Sequence, residues 1–429
     1  MEGIYLTPEI ILTLGILVVT AGLLITEKIP LALTAIMSSM ALVVTGIITP
    51  AQGFAGFVNG NIIIFFSMFI VGGALFETGA AGQIGGLVTK LAKNERQSIV
   101  LIFLVSAIMS GFLSNTGTAA VFIPIIMGIA AKGGGSRSKL LMAMGVAANM
   151  GGGLTLVGTP PNLIIQGALQ NATGESFGFF EFGLVAFPAI VLSLVYFWVW
   201  GYKNLPDIPD VDNAEAGATA TQTKTQASWK ATASIIILLA TVAAMIFDTH
   251  IPWPLHVSSS LGAIAVVLIK LMSEKEAYKS VDMSTIFLFS GTLALATGLE
   301  SSGAGEFIAF GFINMLGEGA SPMVLLIAIL LISSALTNFM SNTATTALLA
   351  PLAVSISIGM GADPRAVLMA TAFGGTLAYL TPVGTPPLTM IYGVGGYKFT
   401  DYPKMGWPIM ILGFITAIIF LPIFFPFFP

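Results

Sequence analysis

The sequence predicts an all-α polytopic membrane protein with two inverted repeats, each about five transmembrane helices plus a re-entrant hairpin. Three observations support this prediction. Of the 429 residues, 56% are hydrophobic and 8% are charged, whereas about a quarter of the residues in a soluble domain are charged. Several short motifs occur once in each half of the chain, in the same order. Inverting the second half also places nearly all positive charges on one side of the membrane.

The composition sets the environment of the helices and excludes several functions. About ten apolar segments approach the roughly 20 residues that a helix needs to cross the hydrocarbon core. The chain has no cysteine, which excludes disulfides, thiolate metal sites and cysteine nucleophiles. It has no GxxxxGK[ST] phosphate-binding motif, so we do not expect an ATP-driven pump. The sequence shows no nucleophile–base pair that would indicate an enzyme. We also expect no nucleic-acid partner.

Four repeated motifs indicate a tandem duplication, because their order is the same and the copies lie 223 to 227 residues apart. The pairs are ETGAAGQI at 77–84 with ESSGAGEF at 300–307, IIFFS at 63–67 with IFLFS at 286–290, VGTPP at 157–161 with VGTPP at 383–387, and SNTGTAAVFIP at 114–124 with SNTATTALLAP at 341–351.

A polar stretch separates the two copies. Residues 202–230 have the composition of a flexible linker. The predicted units are therefore repeat one at 1–201, a linker at 202–230 and repeat two at 231–429. We expect a re-entrant hairpin and a broken helix in each repeat, at about 97–131 and 138–170 in the first, and at about 322–360 and 364–397 in the second.

The positive charges give an independent indication of topology. Each half is predicted to cross the membrane an odd number of times, so the second half must be inverted. With the N-terminus outside, only Arg365 of the 16 Lys and Arg residues lies on the outer face. This is the positive-inside pattern. We therefore expect a multi-pass protein of the plasma membrane with both termini external and a cytoplasmic linker.

The Ser-Asn-Thr motifs predict the tips of the two hairpins. The arms on either side have about 15–18 residues, which corresponds to roughly 25 Å of helix and is short for two full crossings. Ser and Asn are favoured N-cap residues, and the N–H groups that follow carry the positive end of the helix dipole. Two such N-termini that face one cavity would bind an anion without any Lys or Arg.

The same tips offer neutral oxygens to a cation. Ser110 lies four residues before Ser114, and Thr337 lies four residues before Ser341, so each hydroxyl is one helical turn below its tip. Hydroxyl, amide and carbonyl oxygens suit a hard cation such as Na⁺. The tips contain no Asp, Glu, Lys or Arg, whereas a proton-driven exchanger would need a titratable group.

Two proline motifs predict breaks in the helices that follow the hairpins. In GTPPN at 158–162 and GTPPL at 384–388, glycine removes the side chain and two prolines remove two backbone donors. The freed carbonyls could bind an ion, and Thr159 and Thr385 add hydroxyl groups. We interpret the glycine-rich stretch at 147–156 as close helix packing rather than as a ligand-binding loop.

With these paired motifs the sequence resembles the divalent anion/sodium symporter family, which includes sodium-coupled dicarboxylate and citrate carriers and belongs to the ion transporter superfamily. The resemblance covers most of the chain, and the paired SNT and TPP motifs are specific to it. It implies a homodimer in which a scaffold domain stays fixed while a transport domain moves as an elevator.

The resemblance also implies binding residues. The first sodium site would comprise Ser110, Ser114, Asn115 and Gly158. The second would comprise Thr337, Met340, Asn342 and Gly384, with Met340 contributing its backbone carbonyl. The substrate carboxylates would meet Ser114, Asn115, Thr116, Thr159, Ser341, Asn342, Thr343, Thr385 and Pro386. The second proline motif departs from the common GTPPN form, because Leu388 removes an amide and leaves the exact anion open.

We therefore expect a sodium-coupled symporter of a small divalent anion, with a four-carbon dicarboxylate such as succinate, malate or fumarate favoured and two or more Na⁺ ions transported. A sodium-independent dicarboxylate exchanger is the nearest alternative. A sulfate or tricarboxylate carrier on the same scaffold also remains open. A channel, unlike these carriers, would show a flux that does not saturate as the substrate concentration rises.

Overall fold

The computed structural model describes residues 6–85, 92, 94–131, 133–208, 228–247, 251–316 and 321–428. All regular structure within these ranges is helical. Most of the predicted linker, 209–227, lies outside the described residues, as do four of the cations used to predict the topology: Lys90, Lys93, Lys132 and Lys224.

The described part of the first half contains ten helices. They are α1 Pro8–Thr26, α2 Leu31–Val44, α3 Pro50–Ala55, α4 Gly60–Glu77, α5 Ala80–Gly85, α6 Glu95–Ser110, α7 Asn115–Ala131, α8 Arg137–Gly151, α9 Pro160–Thr173 and α10 Gly183–Tyr196. A π-helical turn at Phe197–Gly201 and a last turn at Tyr202–Asn204 extend α10.

The described part of the second half also contains ten helices. They are α11 Ser228–Ile246, α12 Leu255–Leu268, α13 Glu274–Ser280, α14 Met283–Ser302, α15 Ala304–Leu316, α16 Pro322–Thr337, α17 Asn342–Gly359, α18 Arg365–Thr376, α19 Pro386–Gly395 and α20 Asp401–Phe424.

The two sets of helices correspond in order, α1 with α11 through to α10 with α20. The short helices α3 and α13 illustrate the correspondence, because each begins with a capping box. Thr49 and Gln52 form the box of α3, and Ser273 and Glu276 form the box of α13. In both boxes, the hydroxyl oxygen of the cap residue and the side-chain oxygen of the residue three positions later each accept a hydrogen bond from the other residue's backbone N–H. These N–H groups have no helical partner in the first turn. The opposite orientation of the two halves stays a prediction.

Within the described residues, seven helical segments are long and apolar enough to cross a membrane: Pro8–Thr26, Pro50–Glu77, Gly183–Asn204, Trp229–Ile246, Met283–Ser302, Asn342–Gly359 and Asp401–Phe424. Four apolar helices are shorter, namely α2, α7, α12 and α16. With 14 residues each, α2 and α12 span about 21 Å, less than the roughly 30 Å hydrocarbon core. Fewer helices are full length than the composition predicts, because breaks divide several apolar segments.

Burial separates peripheral helices from central ones. The buried residues of α1 form a single stripe at a spacing of three or four residues: Ile10, Thr13, Leu17, Thr20 and Leu24. The other faces of α1 expose apolar side chains, as expected of a surface in contact with lipid. In contrast, every residue of α8 except Lys139 is buried, and so is every residue of α18 after Arg365. A helix that is enclosed on all sides belongs to the core.

Contacts between the halves bring the breaks together. Helix α2 packs against α14, and α4 packs against α12. Within each half, α8 packs on α6 and α18 on α16, while α9 contacts α17 and α19 contacts α7 and α8 across the two halves. The breaks between α6 and α7, α8 and α9, α16 and α17, and α18 and α19 therefore meet around one core.

Candidate functional site

Two short breaks mark the predicted hairpin tips. In the first half, α6 ends at Ser110 and α7 begins at Asn115. In the second half, α16 ends at Thr337 and α17 begins at Asn342. All four of these side chains are buried. The asparagines of the two Ser-Asn-Thr motifs and the hydroxyl groups one turn below the tips are therefore enclosed by protein, whereas Ser114 and Ser341 are half-buried and Thr116 is exposed.

The serine of each motif caps the helix that follows. Ser114 Oγ accepts a hydrogen bond from the N–H of Gly117 at 3.1 Å. Ser341 Oγ accepts from the N–H of Ala344 at 3.2 Å. Such caps satisfy one of the first-turn N–H groups, and the positive end of each helix dipole stays at its tip.

The first tip contains a group of neutral oxygens. Ser110 Oγ lies 2.8 Å from Asn115 Oδ1 and 2.5 Å from the carbonyl oxygen of Ala148 in α8. A serine hydroxyl has one hydrogen, so it can donate to only one of these two acceptors at a time. We call these three atoms the first oxygen cluster.

The second tip has an equivalent group. Thr337 Oγ1 lies 2.7 Å from Asn342 Oδ1 and 2.5 Å from the carbonyl oxygen of Gly375 in α18. In the orientation that places Oδ1 here, Asn342 Oδ1 is also 2.9 Å from the Gly375 oxygen and 3.0 Å from the Gly384 oxygen; with oxygen and nitrogen exchanged, the amide would donate to all three of these oxygens. We call these four atoms the second oxygen cluster. Ala148 and Gly375 are equivalent positions, because each lies 38 residues after the hydroxyl that it contacts.

Glycine is required where the proline motifs pass the tips. A Cβ atom at Gly384 would lie 2.2 Å from the carbonyl oxygen of Thr337, and one at Gly158 would lie 2.5 Å from that of Gly152. Both distances are well inside van der Waals contact, so the backbone can approach this closely only without a side chain. The close approach at Gly384 thus brings its own carbonyl oxygen up to the second cluster.

In each half, one threonine fixes the hairpin tip to the neighbouring helix break. Thr155 Oγ1 donates to the carbonyl oxygen of Gly111, the residue after α6. Thr381 Oγ1 donates to the carbonyl oxygen of Asn338, the residue after α16, at 2.5 Å. These equivalent bonds satisfy a carbonyl at each helix end. Neither threonine belongs to a motif that predicted the site, although each lies shortly before one of the proline motifs.

The proline motifs differ in how their breaks are held. Asn162 Nδ2 donates to the carbonyl oxygens of Gly152 at 2.9 Å and Thr155 at 2.7 Å. In the second half Leu388 is fully buried, and the hydroxyl of Thr389 instead donates to a carbonyl of the break at 2.6 Å. Leu388 therefore stands where the first half has Asn162, whose amide holds the backbone of the break. That amide does not line the cavity at the first tip.

Asn149 joins the two halves at the centre of the site. Its Oδ1 accepts hydrogen bonds from Asn342 Nδ2 at 3.0 Å and from the Thr385 hydroxyl at 2.9 Å, and it lies 3.4 Å from Asn115 Nδ2. Its Nδ2 donates to the carbonyl oxygen of Thr376 at 2.5 Å. One buried amide thus contacts both Ser-Asn-Thr motifs and the second proline motif.

The interpretation of 147–156 as helix packing missed Asn149. The available signal was its isolation, because it is the only residue with a polar side chain in 140–154. A buried amide in such a segment must find several partners. Its partners come from the other half of the chain, and nothing in the local sequence specifies them.

A cavity of about 280 Å³ opens at the first tip. Ser114, Thr116 and Gly158 line it, together with Ser280 and apolar side chains of α4. This volume lies below the range of about 300–1,000 Å³ that is typical of drug-sized ligands. A small molecule bound there would face the N-terminus of α7.

The remaining predicted residues lie elsewhere around the site. Thr159 and Met340 are buried, Thr343 is half-buried, and Pro386 is exposed. Among the described residues, the cavity lining includes none from the second Ser-Asn-Thr motif or from the second proline motif. The N–H of Ser341 donates instead to the carboxylate of Glu27, at 3.1 Å.

Comparison with known proteins identifies the family. The citrate transporter family (CitMHS) matches residues 21–374. A sodium-dependent dicarboxylate transporter, SdcS of Staphylococcus saprophyticus, is 26% identical over 92% of this chain and 82% of its own length. SdcS of Staphylococcus aureus strain RF122 is also 26% identical, over 97% of this chain and 85% of its own length.

Two solved structures share the fold. The YdaH transporter of Alcanivorax borkumensis aligns with a TM-score of 0.67 at 13% identity, covering 97% of this chain and 98% of its own. MtrF of Neisseria gonorrhoeae, described as one of a class of antimetabolite efflux pumps, aligns with a TM-score of 0.64 at 15% identity. It covers 99% of this chain and 96% of its own. The match over residues 21–374 and the similarity to SdcS show that this chain belongs to the citrate transporter family, as a membrane transporter of the divalent anion/sodium symporter group and not an enzyme.

Proposed function

We propose that the protein is a secondary active transporter that carries a small divalent anion together with Na⁺. The favoured substrate is a four-carbon dicarboxylate such as succinate, malate or fumarate, and two or more Na⁺ ions move with it. The observation that carries this proposal is the pair of equivalent clusters of neutral oxygens, one beside each Ser-Asn-Thr tip.

The donor and acceptor balance of the clusters supports cation binding. With Asn342 Oδ1 facing the second cluster, four oxygens approach one another with one hydroxyl hydrogen between them. Oxygens in contact without enough hydrogens repel each other, and a hard cation among them would convert that repulsion into attraction. Uncharged oxygen ligands are suited to Na⁺. The structure adds the carbonyls of Ala148 and Gly375 as candidate ligands.

The proposed sodium ligands are those implied by the family resemblance. They are Ser110, Ser114, Asn115 and Gly158 for the first ion, and Thr337, Met340, Asn342 and Gly384 for the second. Within this set, the described contacts bring Ser110 to Asn115, and they bring Asn342 to both Thr337 and Gly384.

The N-terminus of α7 supports anion binding. Ser114 and Thr116 face the cavity, where the dipole of a 17-residue helix would favour a carboxylate. A second carboxylate would be bound from the other tip. The proposed substrate-binding residues are Ser114, Asn115, Thr116, Thr159, Ser341, Asn342, Thr343, Thr385 and Pro386. Because the site has no Lys or Arg, bound Na⁺ would supply the positive charge and so couple the two solutes.

The proposed architecture is two inverted repeats with re-entrant hairpins, in a plasma-membrane homodimer that works by an elevator mechanism. The matching order of helices in the two halves supports the repeats. The charge pattern supports external termini and a cytoplasmic linker. In this topology Ser280, which lines the cavity, is close in sequence to the predicted cytoplasmic residues Lys275 and Lys279.

Uptake of labelled succinate into proteoliposomes tests the proposal. Vesicles would receive an inward Na⁺ gradient or an equal K⁺ gradient, with and without internal dicarboxylate. Uptake that requires Na⁺ and no internal dicarboxylate is expected of the symporter. Uptake that requires internal dicarboxylate but no Na⁺ would show an exchanger. Competition with unlabelled citrate and sulfate would test the tricarboxylate and sulfate alternatives, of which the name of the citrate family favours the first.

A further inference from the structure

We propose that Asn149 orients the amides of Asn115 and Asn342 so that the oxygen of each, and not its nitrogen, faces a sodium site. The inference rests on the proposed function, because it concerns the same two sites. Asn149 would bind neither Na⁺ nor the anion. It would act as a positioning residue that is shared by both sites.

The carbonyl oxygen of Thr376 fixes the orientation of Asn149 itself. Its Nδ2 lies 2.5 Å from the Thr376 carbonyl oxygen, and its Oδ1 lies 2.9 Å from the Thr385 hydroxyl. If the amide were turned by 180°, its oxygen would face the carbonyl oxygen of Thr376 at that short distance. Two acceptors cannot share a hydrogen bond, so the Asn149 oxygen must face the tips.

This arrangement determines the orientation of Asn342. As oriented, Asn342 donates its Nδ2 to Asn149 Oδ1 at 3.0 Å, and its own Oδ1 faces Thr337, Gly375 and Gly384. With oxygen and nitrogen exchanged, Asn342 could donate to those three oxygens, at 2.7, 2.9 and 3.0 Å. Its oxygen would then face the oxygen of Asn149. Asn149 therefore disfavours the orientation in which the amide would satisfy the cluster by itself and exclude a cation.

The same oxygen faces the first site. Asn115 Nδ2 lies 3.4 Å from Asn149 Oδ1, and Asn115 Oδ1 lies toward Ser110 at 2.8 Å. One acceptor thus orients both sodium-site amides. The position equivalent to Asn149 in the second half is Thr376, whose side chain donates to Phe373 within its own helix. A single residue therefore serves two otherwise similar sites, and through it each site can affect the other.

Residues that orient metal ligands typically change affinity by about 10- to 100-fold when they are removed. The test compares three variants with the wild-type protein. Asn149→Leu has a similar volume but no acceptor. Asn149→Asp, with its carboxyl group protonated, keeps an acceptor oxygen toward both tips and a donor to the Thr376 carbonyl oxygen; burial beside that carbonyl disfavours the charged form. Thr371→Val is the matched control, because Thr371 is buried in the same helix as Thr376 and its hydroxyl bonds only within that helix, to Val367.

Two readouts are measured for each variant. The first is the Na⁺ concentration for half-maximal succinate uptake by proteoliposomes, together with its Hill coefficient. The second is the rise in melting temperature of the detergent-purified protein when NaCl replaces KCl without succinate, because a ligand that binds the folded state stabilises it.

We expect Asn149→Leu to raise the half-maximal Na⁺ concentration at least about tenfold, to lower the Hill coefficient and to reduce the stabilisation by Na⁺. Uptake at saturating Na⁺ should be largely retained. We expect Asn149→Asp to stay within about threefold of Thr371→Val.

The inference is overturned if Asn149→Leu shows the same Na⁺ dependence as Thr371→Val in both readouts, or if Asn149→Asp fails as completely as Asn149→Leu. The second result would assign Asn149 a purely structural bond to Thr376. A wild-type protein that neither requires nor binds Na⁺ would overturn the proposed function as well, and the wild-type measurement alone identifies that outcome.

Discussion

A methyl group at Gly384 should selectively weaken the second sodium site. In Gly384→Ala the new Cβ would lie 2.2 Å from the carbonyl oxygen of Thr337 and 2.8 Å from Cβ of Ala378. Real Cβ atoms essentially never approach heavy atoms closer than 3.0 Å, so the backbone must separate by about 0.8 Å. Both the Thr337 hydroxyl and the Gly384 carbonyl belong to the second oxygen cluster, and the movement would pull them apart.

The size of the effect follows from the cost of the overlap. Forcing a methyl group into a packed region typically costs about 1–3 kcal/mol. If that cost falls on the sodium-bound state, the half-maximal Na⁺ concentration should rise by about 5- to 150-fold. The assay is succinate uptake by proteoliposomes over a series of Na⁺ concentrations at fixed ionic strength.

The chain supplies a matched control in Gly393→Ala. Gly393 lies in α19, the helix that begins after the second proline motif, and a Cβ there would have no heavy atom within 4 Å. The same chemical change is therefore expected to leave Na⁺ dependence unaltered, and the better helix propensity of Ala should maintain stability. Equal half-maximal Na⁺ concentrations in the two variants would refute the assignment of Gly384 to a sodium site.

Three further predictions follow from the site. Asn115→Ala and Asn342→Ala should each abolish sodium-dependent uptake, because each removes a cluster oxygen; full transport by either would contradict the assignment. Asn162→Leu, which copies the second half, should lower the melting temperature, because two buried carbonyls lose their donor at about 1–3 kcal/mol each; an unchanged melting temperature would show that the amide does not hold the break. Glu27→Gln should lower the half-saturating succinate concentration by about two- to fivefold. The Glu27 carboxylate contacts the N–H of Ser341, and a charge at a helix N-terminus is worth about 0.3–1 kcal/mol. An identical value would show that this carboxylate does not compete with the substrate for the helix N-terminus.

The positions of the breaks around the candidate site could be predicted because helix breaks are local properties. Ser and Asn at a tip, or Gly followed by two prolines, interrupt a helix whatever surrounds it. The structure accordingly ends α6 at Ser110 and begins α9 at Pro160. The repeated spacing also related the two halves before any contact was known, since equal offsets place equivalent residues in equivalent helices.

Other parts of the site depended on contacts between distant segments. Asn149 contacts Asn342 and Thr385, which lie 193 and 236 residues away. Nothing in the sequence around Asn149 distinguishes a packing residue from a central hydrogen-bond acceptor. Leu388 is a similar case. Whether the missing amide alters the substrate cavity or only the backbone of the break depended on which of the two the matching amide of Asn162 faces.

The sequence by itself determined the membrane environment, the duplicated order of helices, the positions of the breaks and the neutral chemistry of the tips. These follow from composition and from local backbone preferences. Only the tertiary structure decided which oxygens meet, that Ala148 and Gly375 contribute carbonyls, and that one amide contacts both tips. The reason is physical: hydrogen bonds and oxygen clusters require distances of about 3 Å, and for residues in different halves of the chain only the packing of helices sets such distances.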